Sequence, residues 1–242
     1  MISRFFFPEE LPAAGEVALP EALAHHAVRV LRLRDGEPLV LFDGRGGETS
    51  ARLSVRGRQC FAVLGERSAV ERESPLDLVL AQGLAGGDKM DWIVQKATEL
   101  GVAGVVPLAA ERSVIRLAGE RAAKRVAHWR QVVVAACEQS GRNRVPEVAG
   151  IQPLEAWLAG AHDVRKLVLA PGGGRRTREL APPAAGERVV LMVGPEGGWT
   201  DAELAACLRA GAEAMSLGPR VLRTETAGLA ALAALQALWG DA

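Results

Sequence analysis

The chain has 242 residues, 49% of them hydrophobic, with 29 basic and 29 acidic side chains and a formal net charge of zero. That length allows one large domain or two smaller ones, and two are expected; the composition describes a globular chain without low-complexity tracts. Balanced charge argues against a general nucleic-acid coat, whose affinity comes from Lys and Arg neutralising phosphates, although arginines cluster locally at Arg29, Arg32 and Arg34.

The opening Met1 to Pro8 contains too short an apolar run for a signal peptide, and no stretch reaches the roughly 18 apolar residues of a membrane span. The chain is therefore expected to be cytoplasmic, neither exported nor inserted. Cys60, Cys137 and Cys207 lie far apart, are odd in number and form no C-x-x-C pair, which fits a reducing cytosol and speaks against a disulfide framework or a metal site. His25-His26 reads as a helix-start pair rather than a ligand pair, because no H-E-x-x-H or cysteine accompanies it.

A short helix over about 21–31 precedes three β-type runs, PLVLFDG, ETSARLSV and QCFAVLG, separated by turn clusters such as Asp43-Gly44-Arg45-Gly46-Gly47. They predict a small β-barrel domain over residues 1–72, and the charged stretch Glu66 to Ser74, closed by Pro75, reads as a linker. A second domain over 75–242 has another texture. Strand LDLVLAQ is followed by a helix from Asp88 to Leu100, strand VAGVVPL, a long helix over 119–139 and a short helix after Pro153. Strands RKLVLA and RVVLMVG, a helix from Thr200, strand AEAMSLG and a last helix over about 225–239 complete it. The alternation implies an α/β fold, a mostly parallel sheet with helices on both faces.

In the last helix, TAGLAALAALQALWG, almost every position is apolar, yet the helix is too short to span a membrane. It is expected to be buried all round, either as a central core helix or, preferably, with its second face packed on another copy in a homodimer.

Three strand ends run into loops rich in Gly and Pro: LAPGGG from Leu169, VGPEGGWT from Val193, and LGPRVLRTET from Leu217. Thr200-x-x-Glu203 is a capping box, so the second loop joins a strand end to a helix start. Ligands of open α/β sheets sit beyond the strands' carboxyl ends, and glycines there admit a ligand against bare backbone; a tight turn that merely tolerates glycine is the plainer alternative. Neither G-x-G-x-x-G after a strand nor G-x-x-x-x-G-K-[ST] occurs, which excludes the familiar dinucleotide and P-loop cradles.

The stretches DKMDWIVQKATELGV, ACEQSGRNRVPEV, VGPEGGWTDAE and LGPRVLRTETAGLAAL resemble, in order, the motifs of the RsmE family, the ribosomal small subunit RNA (uracil-N3)-methyltransferases of the SPOUT superfamily. HHAVRVLRLRDGEPLVLFDG is similar to that family's N-terminal PUA-like RNA-binding barrel. The resemblance implies a C-terminal trefoil knot, S-adenosyl-L-methionine held among the knot loops, a homodimer, and 16S ribosomal RNA in the small subunit as substrate. The cofactor would lie against Leu169, Pro171, Gly172, Gly194, Pro195, Glu196, Gly197, Gly198, Leu217, Gly218, Val221 and Leu222. This chain departs from the family at Gly86, where members usually carry a basic residue, so a phosphate or substrate contact lacks its side chain there.

Methylating uracil N3 requires loss of the imide proton and stabilisation of charge on O2 and O4, which planar, permanently charged arginine suits. Arg220 and Arg223 are the first candidates, with Arg142, Arg144 and Arg112 next, acting either within the chain or across from the partner subunit. Glu196, Glu225 and Glu138 remain open as the proton acceptor, and Glu225 reads equally as a first-turn carboxylate stabilised by the helix dipole. Arg29, Arg32, Arg34, Arg112 and Arg144 are candidates for RNA contact, with surface ion pairing as their alternative. Two rival readings are a knotted methyltransferase acting on another RNA or a ribose hydroxyl, and a catalytically silent RNA-binding module.

Overall fold

The structure, a computed structural model, describes residues 2–242; Met1, first residue of the expected N-terminal domain, lies outside them. The chain divides into two compact units: residues 1–73 together with 137–145, and residues 74–136 together with 146–242.

The first unit is built on β1 (Ser3–Phe6), β2 (Gly15–Ala18), β3 (Pro38–Phe42), β4 (Glu48–Arg56) and β5 (Gln59–Ser68), ordered β1-β3-β4-β5-β2. β1 lies parallel to β3, and the other pairings are antiparallel. One face alternates inward, with Leu39 and Leu41 of β3, Ala51 and Leu53 of β4, and Ala62 and Leu64 of β5 joining Phe5 and Phe7 in a core. The expected helix over 21–31 forms as α1 (Glu21–His25) and continues in a π-helical stretch, His26–Val30, that seats Leu23 and Ala27 on that core. The His26 ring stands edge-on to Phe5 at 5.8 Å, an apolar packing role for half of the His-His pair. Sequence patterning missed β1 and β2, each only four residues long and, for β2, almost wholly exposed.

The second unit carries an eight-stranded sheet. Its strands are β6 (Asp77–Gly83), β7 (Gly104–Ala109), β8 (Glu147–Val148), β9 (Gln152–Pro153), β10 (Arg165–Leu169), β11 (Arg175–Arg176), β12 (Arg188–Val193) and β13 (Glu213–Ser216). The order is β11-β13-β10-β12-β6-β7-β8, with β9 also on β7, and every pairing is parallel. β6, β10 and β12 are buried along nearly their whole length, which is why they read as continuous apolar runs rather than alternating ones.

Helices α2 (Lys89–Glu99), α3 (Gly119–Ser140), α4 (Leu154–Gly160), α5 (Asp201–Arg209) and α6 (Thr224–Trp239) complete the chain. Val79, Ala81, Val190, Met192 and Val168 meet Leu154 and Leu158 of α4 and Cys207 of α5 in one cluster. On the other face Leu80, Gln82 and Val193 approach Gly228 of α6. Within the single chain α6 is not buried all round, as a central core helix would be. Thr224, Gly228, Ala231, Leu232, Leu235 and Gln236 form one buried stripe, while Leu229, Ala230, Ala233 and Ala234 are half-buried and Leu238 is 47% exposed. No helix among the described residues is long and apolar enough to cross a membrane.

Candidate active site at three converging strand ends

The loops that follow β10, β12 and β13 lie beyond the carboxyl ends of adjacent parallel strands, so the sheet itself brings them together. They enclose a cavity of about 430 Å³ lined by Leu169 and Pro171 from the first loop, Gly194 to Trp199 from the second, and Val221 to Glu225 from the third, with Lys89 added from α2. A smaller cleft adjoins it, sharing Leu169, Pro171 and Leu222 and adding Leu217, Gly218 and Arg220. Of the residues expected against a cofactor, all but Gly172 line one or the other.

The loop GPEGG is shaped by its own packing as well as by any ligand. Gly198 has φ +69°, the left-handed region that favours glycine. A methyl group on Gly197 would stand 2.7 Å from Arg112 Cβ, so only glycine fits beneath that side chain. Arg112 in turn donates from Nη1 to the carbonyls of Gly197 at 3.2 Å and Trp199 at 3.4 Å. The loop leaves through the expected capping box: Thr200 Oγ1 accepts from the Glu203 N–H at 3.2 Å, and Glu203 Oε2 accepts from the Thr200 N–H at 2.9 Å. Glu203 Oε1 also accepts from the Glu111 N–H at 2.8 Å, tying a further loop to the same helix start.

A buried polar clasp joins the second loop to the third. Thr224 Oγ1 donates to the Gly194 carbonyl at 2.6 Å, and Gln82 Nε2 donates to Thr224 Oγ1 at 2.8 Å from a fully buried position at the end of β6. Neither residue was singled out from the sequence. The signal was there, however, in one glutamine closing the apolar run Leu78 to Ala81 of strand LDLVLAQ.

Charge in the cavity centres on Lys89, Glu196, Arg223 and Glu225. Glu196 Oε1 accepts from the Gly86 N–H at 2.8 Å and from Lys89 Nζ at 3.1 Å. Burial pushes the Glu196 carboxyl up, but the Gly86 N–H and other donors, Lys89 among them, outweigh it and hold the group below its ordinary value of 4.5. Glu196 is thus an anion at neutral pH and a weak proton acceptor. Lys89 Nζ also stands 4.0 Å from Glu225 Oε2, an oxygen that is buried without a hydrogen-bond partner. Sequence reading missed Lys89, which looked like an ordinary polar position of an amphipathic helix. A cation in the first turn opposes the helix dipole, and that anomaly was the available clue.

Arg142, expected among the catalytic groups, lies in the first unit, is 4% exposed and donates to Glu73 through Nε at 3.1 Å. It does not line the cavity, because a buried guanidinium needs a carboxylate partner and Glu73 provides it. Glu138 is in the same unit, its Oε1 accepting from the Phe6 N–H at 2.9 Å. Arg29, Arg32 and Arg34 are exposed around the π-helical stretch, while Arg144 faces Glu71 at 3.5 Å. Asp91 of α2 joins α3 through three side chains: it accepts from the Trp129 indole N–H at 3.0 Å, meets His128 at 2.7 Å and stands 4.0 Å from Arg125. Cys137 is fully buried and its thiol is pushed by burial to about 12, so it is helix core and not a nucleophile. Among the described residues no cluster of His, Cys, Asp or Glu is placed to hold a metal ion.

Residues 72–236 match the family model of an RNA methyltransferase domain, and residues 19–64 match that of an RNA methyltransferase PUA domain. The chain is 35% identical over 235 residues to the ribosomal RNA small subunit methyltransferase E of Bacillus subtilis, covering 94% of this chain and 92% of that one. The chain belongs to the ribosomal RNA small subunit methyltransferase E family. The Mycobacterium bovis relative is 37% identical over 253 residues, with 98% of this chain and 93% of the other covered. Among solved structures, the Neisseria gonorrhoeae family member bound to S-adenosyl methionine superposes with a TM-score of 0.92 at 41% identity, over 100% of this chain and 99% of that one. A Legionella pneumophila protein in complex with the same cofactor gives 0.94 at 38% identity, with 100% of both chains covered. The parallel sheet is accordingly the SPOUT-type knotted sheet, and the five-stranded unit is the PUA-like part.

Proposed function

We propose that this chain transfers a methyl group from S-adenosyl-L-methionine to N3 of a specific uridine in the 16S ribosomal RNA of the small subunit. The observation that carries the reading is the convergence of three strand-end loops on one cavity of about 430 Å³, within the size range of cofactor sites. The lining fits such a group. Backbone of 194–198 is bare, Leu169, Val221 and Leu222 are apolar, and the Trp199 indole N–H and a Glu225 oxygen are buried without hydrogen-bond partners. When bound, S-adenosylmethionine supplies an electrophilic methyl carbon on a sulfonium whose sulfur keeps the bonding pair.

The chain's own residues do the rest. Glu225 is the proposed acceptor of the imide proton: it lines the cavity, whereas Glu138 lies in the other unit and Glu196 is committed to Gly86 and Lys89. Arg223 and Arg220 flank the third loop, where their fixed charge offsets what develops on the uracil oxygens. Holding base and donor in line is worth up to about 7–11 kcal/mol of barrier. Residues 1–72 are assigned to gripping RNA through Arg29, Arg32 and Arg34, with Arg112 and Arg144 secondary because both have partners within the chain. Residues 75–242 carry the chemistry. The half-exposed apolar face of α6 supports a homodimer through that helix, and the chain is assigned to the cytoplasm.

The test is radiolabelled methyl transfer to small subunits lacking the modification, with the product nucleoside mapped by mass spectrometry. Glu225→Gln is expected to lower the rate by about 10²–10⁴-fold, the range for loss of a positioned base. A methyl group on a ribose hydroxyl, or full activity in both Glu225→Gln and Arg223→Ala, would overturn the reading.

A further inference from the structure

The ammonium of Lys89 stands between two carboxylates of the cavity, 3.1 Å from Glu196 Oε1 and 4.0 Å from Glu225 Oε2. All three side chains are only partly exposed, at 37%, 22% and 21%, so water screens them incompletely. These two anions and one cation carry one net negative charge, which the Arg223 guanidinium lining the same cavity offsets from farther away. The Glu225 oxygen facing Lys89 has no hydrogen-bond partner, so its charge is the less completely matched of the two.

The structure assigns Lys89 as the residue that sets how far this site prefers a cationic methyl donor to its neutral thioether product. This deepens the proposed function and rests on it. Donor and product share the adenosine and the amino-acid portion, and they differ by one methyl group and one positive charge at sulfur. Contacts to bare backbone and apolar side chains act on both alike and cancel in the ratio of affinities. What remains is the field of the charged groups lining the cavity. The carboxylates favour the sulfonium; Lys89 and Arg223 oppose them, and Lys89, within 4.0 Å of both carboxylates, is the nearer counterweight that keeps the preference moderate. A site with both carboxylates uncompensated would hold the donor tightly, yet tight donor binding adds nothing to turnover once the donor is saturating. Lys89 also acts through Glu225 by fixing the direction of a carboxylate that otherwise lacks a partner. It is a positioning and specificity-determining residue, not one that reacts.

The test is titration calorimetry of the full-length chain with three ligands: S-adenosylmethionine, S-adenosylhomocysteine and adenosine. In Lys89→Met, of similar length but uncharged, the donor-to-product affinity ratio is expected to rise roughly tenfold, the effect of about 1.4 kcal/mol, while adenosine binds as in the parent. That shift should shrink at high salt. Glu225→Gln is expected to move the ratio the opposite way, and Lys89→Arg to stay within about twofold of the parent because the charge is kept. Lys89→Met that weakens all three ligands in the same proportion would reduce Lys89 to a structural role and overturn the inference, as would an unchanged ratio. Parent protein that binds none of the three would instead overturn the underlying reading of the cavity.

Discussion

In the five-stranded unit, several arginines find carboxylates of the same unit: Arg4 and Arg72 share Glu48, Arg56 meets Glu16 and Arg142 meets Glu73. The eight-stranded unit has such pairs too, Arg165 with Glu213 and Arg188 with Asp77, but in its strand-end cavity Lys89 serves two carboxylates and one Glu225 oxygen stays without a hydrogen bond. The first arrangement sets guanidinium against carboxylate. The second leaves electrostatic capacity unspent inside a cavity, as expected of a site whose missing partner is a ligand. The difference also separates two sources of stability, since parallel strands buried on both faces draw on packing while an antiparallel sheet with a wet face can carry surface pairs.

The largest test of that contrast is Trp129→Ala. Trp129 is fully buried in the second unit, with its indole N–H on Asp91 Oδ1 at 3.0 Å. Its loss should cost about 3–5 kcal/mol in chemical denaturation. Gly197→Ala comes next. The added methyl meets Arg112 Cβ at 2.7 Å, and crowding of this kind costs about 1–3 kcal/mol. Because the strain falls on the cavity wall, calorimetry should show donor affinity dropping further than the melting temperature.

Glu138→Gln probes the first unit. Burial raises the Glu138 carboxyl above its ordinary 4.5 by more than the Phe6 N–H, His26 and Arg4 lower it. A carboxyl raised on folding favours the fold at acid pH, and that contribution is lost as pH rises through the raised value. The glutamine variant should therefore be the more stable protein at neutral pH and lose its advantage below 4.5, as seen in melting curves across pH. Smallest of all is Arg56→Ala. Its pair with Glu16 is 59% and 29% exposed, so denaturation should register about 0–1 kcal/mol. A larger loss there would mean that the first unit depends on its pairs after all.

Much of this was legible in advance, for identifiable reasons. Buried parallel strands announce themselves as apolar runs, so β6, β10 and β12 were found nearly to the residue. Gly and Pro at their ends marked the loops that line the cavity. The two-residue strands β8, β9 and β11 were invisible, because two residues carry no period. Arg142 does not line the cavity of its own chain because a motif gives proximity along the chain, whereas its guanidinium answers to Glu73, sixty-nine positions earlier. Lys89 and Gln82 were overlooked for the converse reason: each matters through partners more than a hundred residues away, Glu196 for the one and Thr224 for the other.

Residues 137–145 count with the N-terminal unit although they begin as the last turn of α3, a helix rooted in the other one. Cutting the chain at Glu73 would therefore strip the small sheet of Asn143, whose amide donates to the Val70 carbonyl at 2.7 Å and whose oxygen receives Arg4 at 2.7 Å. The strand-rich piece is consequently no detachable module. Gene fusions or domain swaps that treat it as one should yield an insoluble fragment unless the GRNRV segment travels along.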